Sequence, residues 1–158
     1  MTRITKPAHP KRIRAPLEGK AVISDRLIEE NSLVVDGGRT SVDVRIPWYR
    51  AVPASCIADV SFTVDGRTPP AGSVRVELNG TERRLDEFAA LVEEQWFPTD
   101  ALTVSGDLEV ESGTEHLVSV ELKLFIPYIV TAHGVLMIDE RKEMRMTANS
   151  VRPTEAVR

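Results

Sequence analysis

Val118, Val120, Leu122, Leu124 and Ile126 alternate with Ser119, Glu121, Lys123 and Phe125, the clearest run of its kind in a chain of 158 residues. A period of two sends successive side chains to opposite faces of an extended backbone, so the run predicts a strand with one face in a core. The rhythm recurs upstream. Val42, Val44 and Ile46 alternate with Asp43 and Arg45, and Val60, Phe62 and Val64 with Ser61, Thr63 and Asp65. Val74, Val76 and Leu78 alternate with Arg75, Glu77 and Asn79. The breaks are turn sequences: Asp36-Gly37-Gly38, Asp65-Gly66, Asn79-Gly80 and Glu111-Ser112-Gly113-Thr114. Gly and Asx residues accept positive φ and close tight hairpins.

Other elements are fainter. Val22, Ile23, Leu27, Ile28, Leu33, Val34 and Val35 predict two short strands around Glu29-Glu30-Asn31-Ser32. Residues 81–85, 101–104 and 107–110 read as strands, the last two parted by Ser105-Gly106. Pro127 is expected to end the long strand, with a loop over 128–134 before the chain returns at Val135. A single window reads as helix: Leu85, Phe88, Ala89 and Val92 fall at i, i+3, i+4 and i+7, with Asp86 and Glu87 at its start. Together these predict an all-β protein, an antiparallel β-sandwich or partly closed barrel with one short helix.

The chain divides into an irregular basic arm (1–25), a single β-sandwich domain (26–150) and a frayed tail (151–158). A hydrophobic fraction of 42% and a charged fraction of 28% suit one globular domain with its own core. The arm carries six Lys or Arg against Glu18 and Asp25, a balance of +4, so the rest sums to −8 of the overall −4. An acidic body repels phosphates, so no nucleic-acid partner is expected. No signal peptide or membrane span can be drawn, and a cytoplasmic location is expected.

Several chemistries lack their residues. His9, His116 and His133 share no metal-ligand spacing, so no metal site is assigned. Cys56 is the sole cysteine and sits beside Ile57, where a buried inert thiol is the usual case. No G-x-S-x-G elbow exists. Asp86-Glu87 and Glu93-Glu94 are adjacent carboxylates, and neighbours do not flank one sugar ring as a glycosidase pair must. No catalytic residue is assigned.

One constellation remains, between the strands ending at Ile46 and starting at Ala58. Pro47 and Pro53 stiffen this loop and remove backbone donors, and Trp48, Tyr49 and Arg50 stand side by side within it. These residue types dominate binding hot spots, because each joins a large contact area to a directional polar group. The structural alternative, a lid packing its aromatics over the core, is equally compatible. Trp96-Phe97-Pro98 leans toward a core plug, and Tyr128 and His133 accompany the second proline-bounded loop.

The run Arg45-Ile46-Pro47-Trp48-Tyr49-Arg50-Ala51-Val52-Pro53-Ala54-Ser55-Cys56-Ile57 resembles the signature segment of the small (β) subunits of bacterial C-glycoside deglycosidases. Leu124-Phe125-Ile126-Pro127-Tyr128 matches a second segment, and the similarity extends from about Leu27 to about Thr147. The resemblance implies a small, non-catalytic β-sandwich subunit of a carbon–carbon lyase acting on 3-oxo-C-glycosides of flavonoid-type aglycones. There the 3-ketone acidifies the C2 proton, a base removes it, and the aglycone leaves by elimination. It places the base and a divalent metal, Mn²⁺ or Mg²⁺, on a large (α) TIM-barrel subunit, with no cofactor in this chain. Trp48, Tyr49, Arg50, Pro53, Tyr128 and His133 would then face that partner or the mouth of its active site. The basic arm is longer than the family pattern requires. The alternative is a free-standing carbohydrate- or ligand-binding β-sandwich with Trp48 and Tyr49 as a stacking platform, and a third reading is a β-barrel enzyme using gathered histidines.

Overall fold

A computed structural model describes residues 26–150, so the arm, its share of the first predicted strands, His9 and the tail lie outside the described residues. Ten strands follow in order: β1 Val34–Asp36, β2 Arg39–Arg45, β3 Val52–Pro53, β4 Ile57–Val64, β5 Arg75–Leu78, β6 Thr81–Arg83, β7 Gln95–Trp96, β8 Ala101–Asp107, β9 Glu115–Thr131 and β10 Gly134–Thr147. They form a five-stranded sheet β1-β2-β8-β5-β6, a three-stranded sheet β10-β9-β4 and a two-stranded ribbon β3-β7, with antiparallel pairing throughout. Neither larger sheet closes on itself, so the fold is an open sandwich.

The alternation explains the layers. Thr40, Val42 and Val44 of β2 and Leu102 and Val104 of β8 are buried, while the residues between them face outward. From the other sheet, Val60, Phe62 and Val64 of β4 and Val118, Val120, Leu122, Leu124 and Ile126 of β9 enter the same core cluster. The turn dipeptides act as expected. Gly37-Gly38, Asp65-Gly66 and Asn79-Gly80 all have positive φ at both residues and close two-residue connections.

Four local expectations need correction. Ile28 makes only an isolated bridge to Val44, and Asn31 at φ 60° turns the chain into β1, so the described part of the first segment holds one short strand rather than two. Ser105-Gly106 does not divide two strands; β8 runs through it to Asp107, and Leu108 and Val110 are buried outside any strand. Gly106 is there for clearance, since a Cβ at that position would lie 2.6 Å from Pro69 Cβ. The predicted helix is a 3₁₀ helix, Leu85–Ala90. Its period of three turns Leu85, Phe88 and Leu91 inward and leaves Ala89 exposed and Val92 62% exposed, which a period of 3.6 had placed on the buried face.

The fourth concerns Pro127, which does not end its strand. Val130 pairs with Val135 and Ile126 with Leu136, so Pro127, Tyr128 and Ile129 are extra residues on β9 opposite a continuous β10. A residue without an N–H cannot complete a ladder but can occupy a bulge, and a bulge re-aims the side chains it carries.

Candidate functional site

Residues 46–51 leave β2 without regular structure, yet they are firmly anchored at both ends. At the entrance, Arg45 donates from Nε to Glu29 Oε1 at 2.7 Å and from Nη1 to the Thr99 carbonyl at 2.6 Å. At the exit, Val52 pairs with Trp96 and Pro53 with Gln95, while the Ala54 and Ser55 amides donate to the carbonyls of Glu94 and Leu91. Ala54, Ser55 and Cys56 form a buried 3₁₀ turn into β4. Trp96 is fully buried with Nε1–H donating to the Asp100 carbonyl at 3.1 Å, so it is the core plug; Phe97 beside it is exposed.

Between these anchors the loop separates its three side chains. Trp48 is 7% exposed and belongs to the core, while Tyr49 is 64% exposed and Arg50 lies on the surface. The two rings lie 5.1 Å apart between centroids, tilted by 43°. Across the sandwich edge, the β9 bulge brings Tyr128 to the loop. Trp48 Nε1–H donates to the Tyr128 hydroxyl oxygen, and Arg50 Cζ sits over the Tyr128 ring at 4.6 Å from its centroid. Tyr128 is 43% exposed and Val130, two residues on, is 57% exposed. The result is a surface patch of Tyr49, Arg50 and Tyr128 standing on a buried tryptophan, with Val130 exposed further along β9. Tyr128 contacts Trp48 and Arg50, and it stands on the bulge.

Apart from a cleft of about 450 Å³ lined by residues including Glu29, Arg45 and Thr99, two clefts lie elsewhere, and none of the three is lined by Trp48, Tyr49, Arg50 or Tyr128. One of about 450 Å³ lies over outward-facing positions of the five-stranded sheet, including Arg39, Ser41, Glu77 and Thr103. Its Arg39 is already held by Asp107 and Ser105, each at 2.8 Å. The other, of about 480 Å³, runs between the edge of β4 and the segments carrying Pro69, Val74 and Leu85.

The family model for the C-glycoside deglycosidase beta subunit matches residues 23–128, from before β1 to Tyr128 itself. The chain belongs to the C-glycoside deglycosidase β-subunit family. It is 49% identical over 128 residues to the C-glycoside deglycosidase beta subunit of Microbacterium trichothecenolyticum, covering 80% of this chain and 98% of that one. A protein of the same description from Arthrobacter globiformis is 47% identical over 126 residues, covering 79% and 96% of the two chains. A 3'-dehydrocarminate deglycosidase beta subunit from a Microbacterium species is 34% identical over 122 residues, covering 77% and 92%.

Of the residues singled out in this β-subunit chain, the structure joins Trp48, Tyr49, Arg50 and Tyr128. Pro53 lies in the β3–β7 ribbon, and His133 occupies the exposed β9–β10 turn, its amide donating to Thr131 Oγ1 at 3.1 Å. Neither makes a hydrogen bond or ring contact to the cluster among the described residues. Val130 was missed, because an apolar residue beyond a proline gives no sign of which face it takes. Three of the four paired carboxylates have local partners: Asp86 accepts from Arg84 at 3.2 Å, Glu87 from the Arg84 amide at 3.0 Å, and Glu94 from Arg83 and Asn79. Among the described residues no three His, Cys, Asp or Glu side chains gather as metal ligands do.

His116 is engaged structurally. Its Nδ1 lies 2.6 Å from Asp65 Oδ2, and its Nε2 lies 2.8 Å from the Glu111 carbonyl and 2.9 Å from Thr114 Oγ1. A carboxylate and a carbonyl both want a donor, so the imidazolium suits the site and Nδ1 and Nε2 both donate. The Asp65 hydrogen bond, aided by the Glu111 carbonyl and outweighing desolvation, raises the His116 pKa above its ordinary 6.5. The same hydrogen bond, then that of the Leu117 amide, lowers Asp65 below its ordinary 3.8. The signs fix a window. The His116 contribution is complete below its unfolded pKa and is lost as pH rises through its raised folded value; that of Asp65 is complete above its unfolded pKa and is lost as pH falls through its lowered one. Thermal melts across pH should therefore show greatest stability between about pH 4 and 6.5 from this pair. Asp65→Asn, which suits the positive φ of that turn, should flatten both limbs; a variant retaining the full dependence would assign it to other groups.

Proposed function

We propose that this chain is the small, non-catalytic subunit of a two-subunit lyase that cleaves the carbon–carbon bond between a 3-oxo sugar and a flavonoid-type aglycone. The observation that carries the reading is the family match, which runs through the loop and strand bearing Trp48, Tyr49, Arg50 and Tyr128. A C-glycoside has no anomeric oxygen to protonate, so the bond must be broken through the carbanion chemistry of the 3-ketone. Loss of the C2 proton to a base puts charge on the C2–C3–O system; that electron pair then forms the C1–C2 double bond while the pair of the broken C1–aglycone bond passes to the aglycone carbon, which takes a proton from a general acid. A divalent metal, Mn²⁺ or Mg²⁺, would supply charge stabilisation for such a system, and the described residues of this chain do not fit its ligand set. Base and metal accordingly belong to a large TIM-barrel subunit. The contribution of this chain is the rigid face that holds the mouth of that barrel and keeps water from it.

Reconstitution tests this directly. The purified chain alone should turn over no 3-oxo-C-glycoside with either Mn²⁺ or Mg²⁺, and co-expression with the large subunit should yield both a complex on size exclusion and release of aglycone. Turnover by the isolated chain would place the chemistry here. A chain that stays monomeric beside the large subunit and instead binds free sugars would be the free-standing module.

A further inference from the structure

Arginines in this domain are mostly partnered within it. Arg39 pairs with Asp107 at 2.8 Å, Arg45 with Glu29 at 2.7 Å, Arg83 with Glu94 at 3.2 Å and Arg84 with Asp86 at 3.2 Å. Arg50, like Arg26, Arg67 and Arg145, makes no side-chain ion pair or hydrogen bond to a described residue, and of these four it is the one that rests on an aromatic face, that of Tyr128. The loop that carries it and β9 also expose Tyr49, Tyr128 and Val130, over the buried Trp48. The patch is thus a cationic, aromatic island on a chain whose overall charge is −4.

A surface of this composition has a definite complement. Closing a partner over Tyr49, Tyr128 and Val130 removes water from Arg50 as well, and a guanidinium cannot shed its charge to escape. An arginine left uncompensated in such an interface would oppose the burial of the aromatics beside it. The ring beneath it offers a favourable face but accepts nothing at the N–H edge. We infer that Arg50 is met by a carboxylate of the large subunit, engaged by the planar donor fork of the guanidinium and set into the rim of aromatic contacts made by Tyr49, Tyr128 and Val130. Tyr128 is the positioning residue: the β9 bulge presents it, the Trp48 indole holds its hydroxyl, and its ring carries the guanidinium.

This rests on the reading of the patch as the subunit interface, so the test separates the two. The dissociation constant of the two-subunit complex is measured at several salt concentrations for the wild type, Tyr49→Ala, Arg50→Lys and Arg50→Gln, each variant first shown to keep the wild-type thermal midpoint. All three substitutions should weaken assembly by about tenfold or more. Arg50→Gln should also lower its salt dependence, because the charge pair is gone. Arg50→Lys should stay weak, since a point charge does not reproduce the bidentate fork. If Tyr49→Ala weakens assembly while both Arg50 variants assemble like the wild type, the face is the interface and the carboxylate is refuted. Wild-type affinity for Arg50→Lys alone would refute the forked contact. If none of the three weakens assembly, the interface reading itself fails, and this inference with it.

Discussion

Trp48→Ala is expected to lower the unfolding free energy by about 3–5 kcal/mol, the usual cost of removing a large buried aromatic. Trp48 belongs to the core cluster, as do Ile46 and Val52 on either side of it in the chain. Its truncation opens a cavity at the edge of the sandwich and takes away the indole donor that holds Tyr128. The rest of the surface patch should loosen with it, because Arg50 is seated on that same ring. Urea unfolding followed by fluorescence of the remaining Trp96 measures the loss. A change below about 1 kcal/mol, the range of surface substitutions and mild repacking, would mean that Trp48 is not packed as described.

The double variant Tyr49→Ala, Arg50→Ala should behave in the opposite way. Both side chains lie on the surface, so stability should change by no more than about 0.5–1 kcal/mol. Assembly with the large subunit should nevertheless weaken by about 30-fold or more, equivalent to roughly 2 kcal/mol at a binding hot spot. The loop is fixed by Arg45 at one end and the β3–β7 ribbon at the other, so little ordering entropy is lost on binding and its contacts count nearly in full. Deglycosidase activity should fall at equal subunit concentrations and recover when the variant is supplied in excess. Activity that stays low at saturation would instead give these residues a part in the reaction.

The contrast between these two variants marks what the sequence could and could not say. Strand alternation placed Val42, Val44, Phe62 and Leu122 on inward faces because a period of two admits only one. Gly37-Gly38, Asp65-Gly66 and Asn79-Gly80 were legible because few other residues tolerate positive φ. Where no period operates, the signal stops. Trp48 and Tyr49 are neighbours of similar type in a loop, and only tertiary packing decides that one is buried and the other exposed. Pro127 is equally compatible with a strand end and a bulge, and the pairing of Val130 with Val135 settles it. The 3₁₀ helix was misread because Leu85 and Phe88 fit both helical periods, leaving Ala89 and Val92 to mislead. Gly106 looked like a turn residue, whereas its missing side chain makes room for Pro69.

Amide hydrogen exchange of this chain, free and assembled with the large subunit, tests most directly whether the patch is the subunit interface. Residues 48–52 and 128–131 should exchange markedly more slowly in the complex, while the outer face of the five-stranded sheet around Ser41, Glu77 and Thr103 should exchange alike in both states. Protection confined to that outer sheet, or to the cleft beside β4, with residues 48–52 and 128–131 unchanged, would contradict the account.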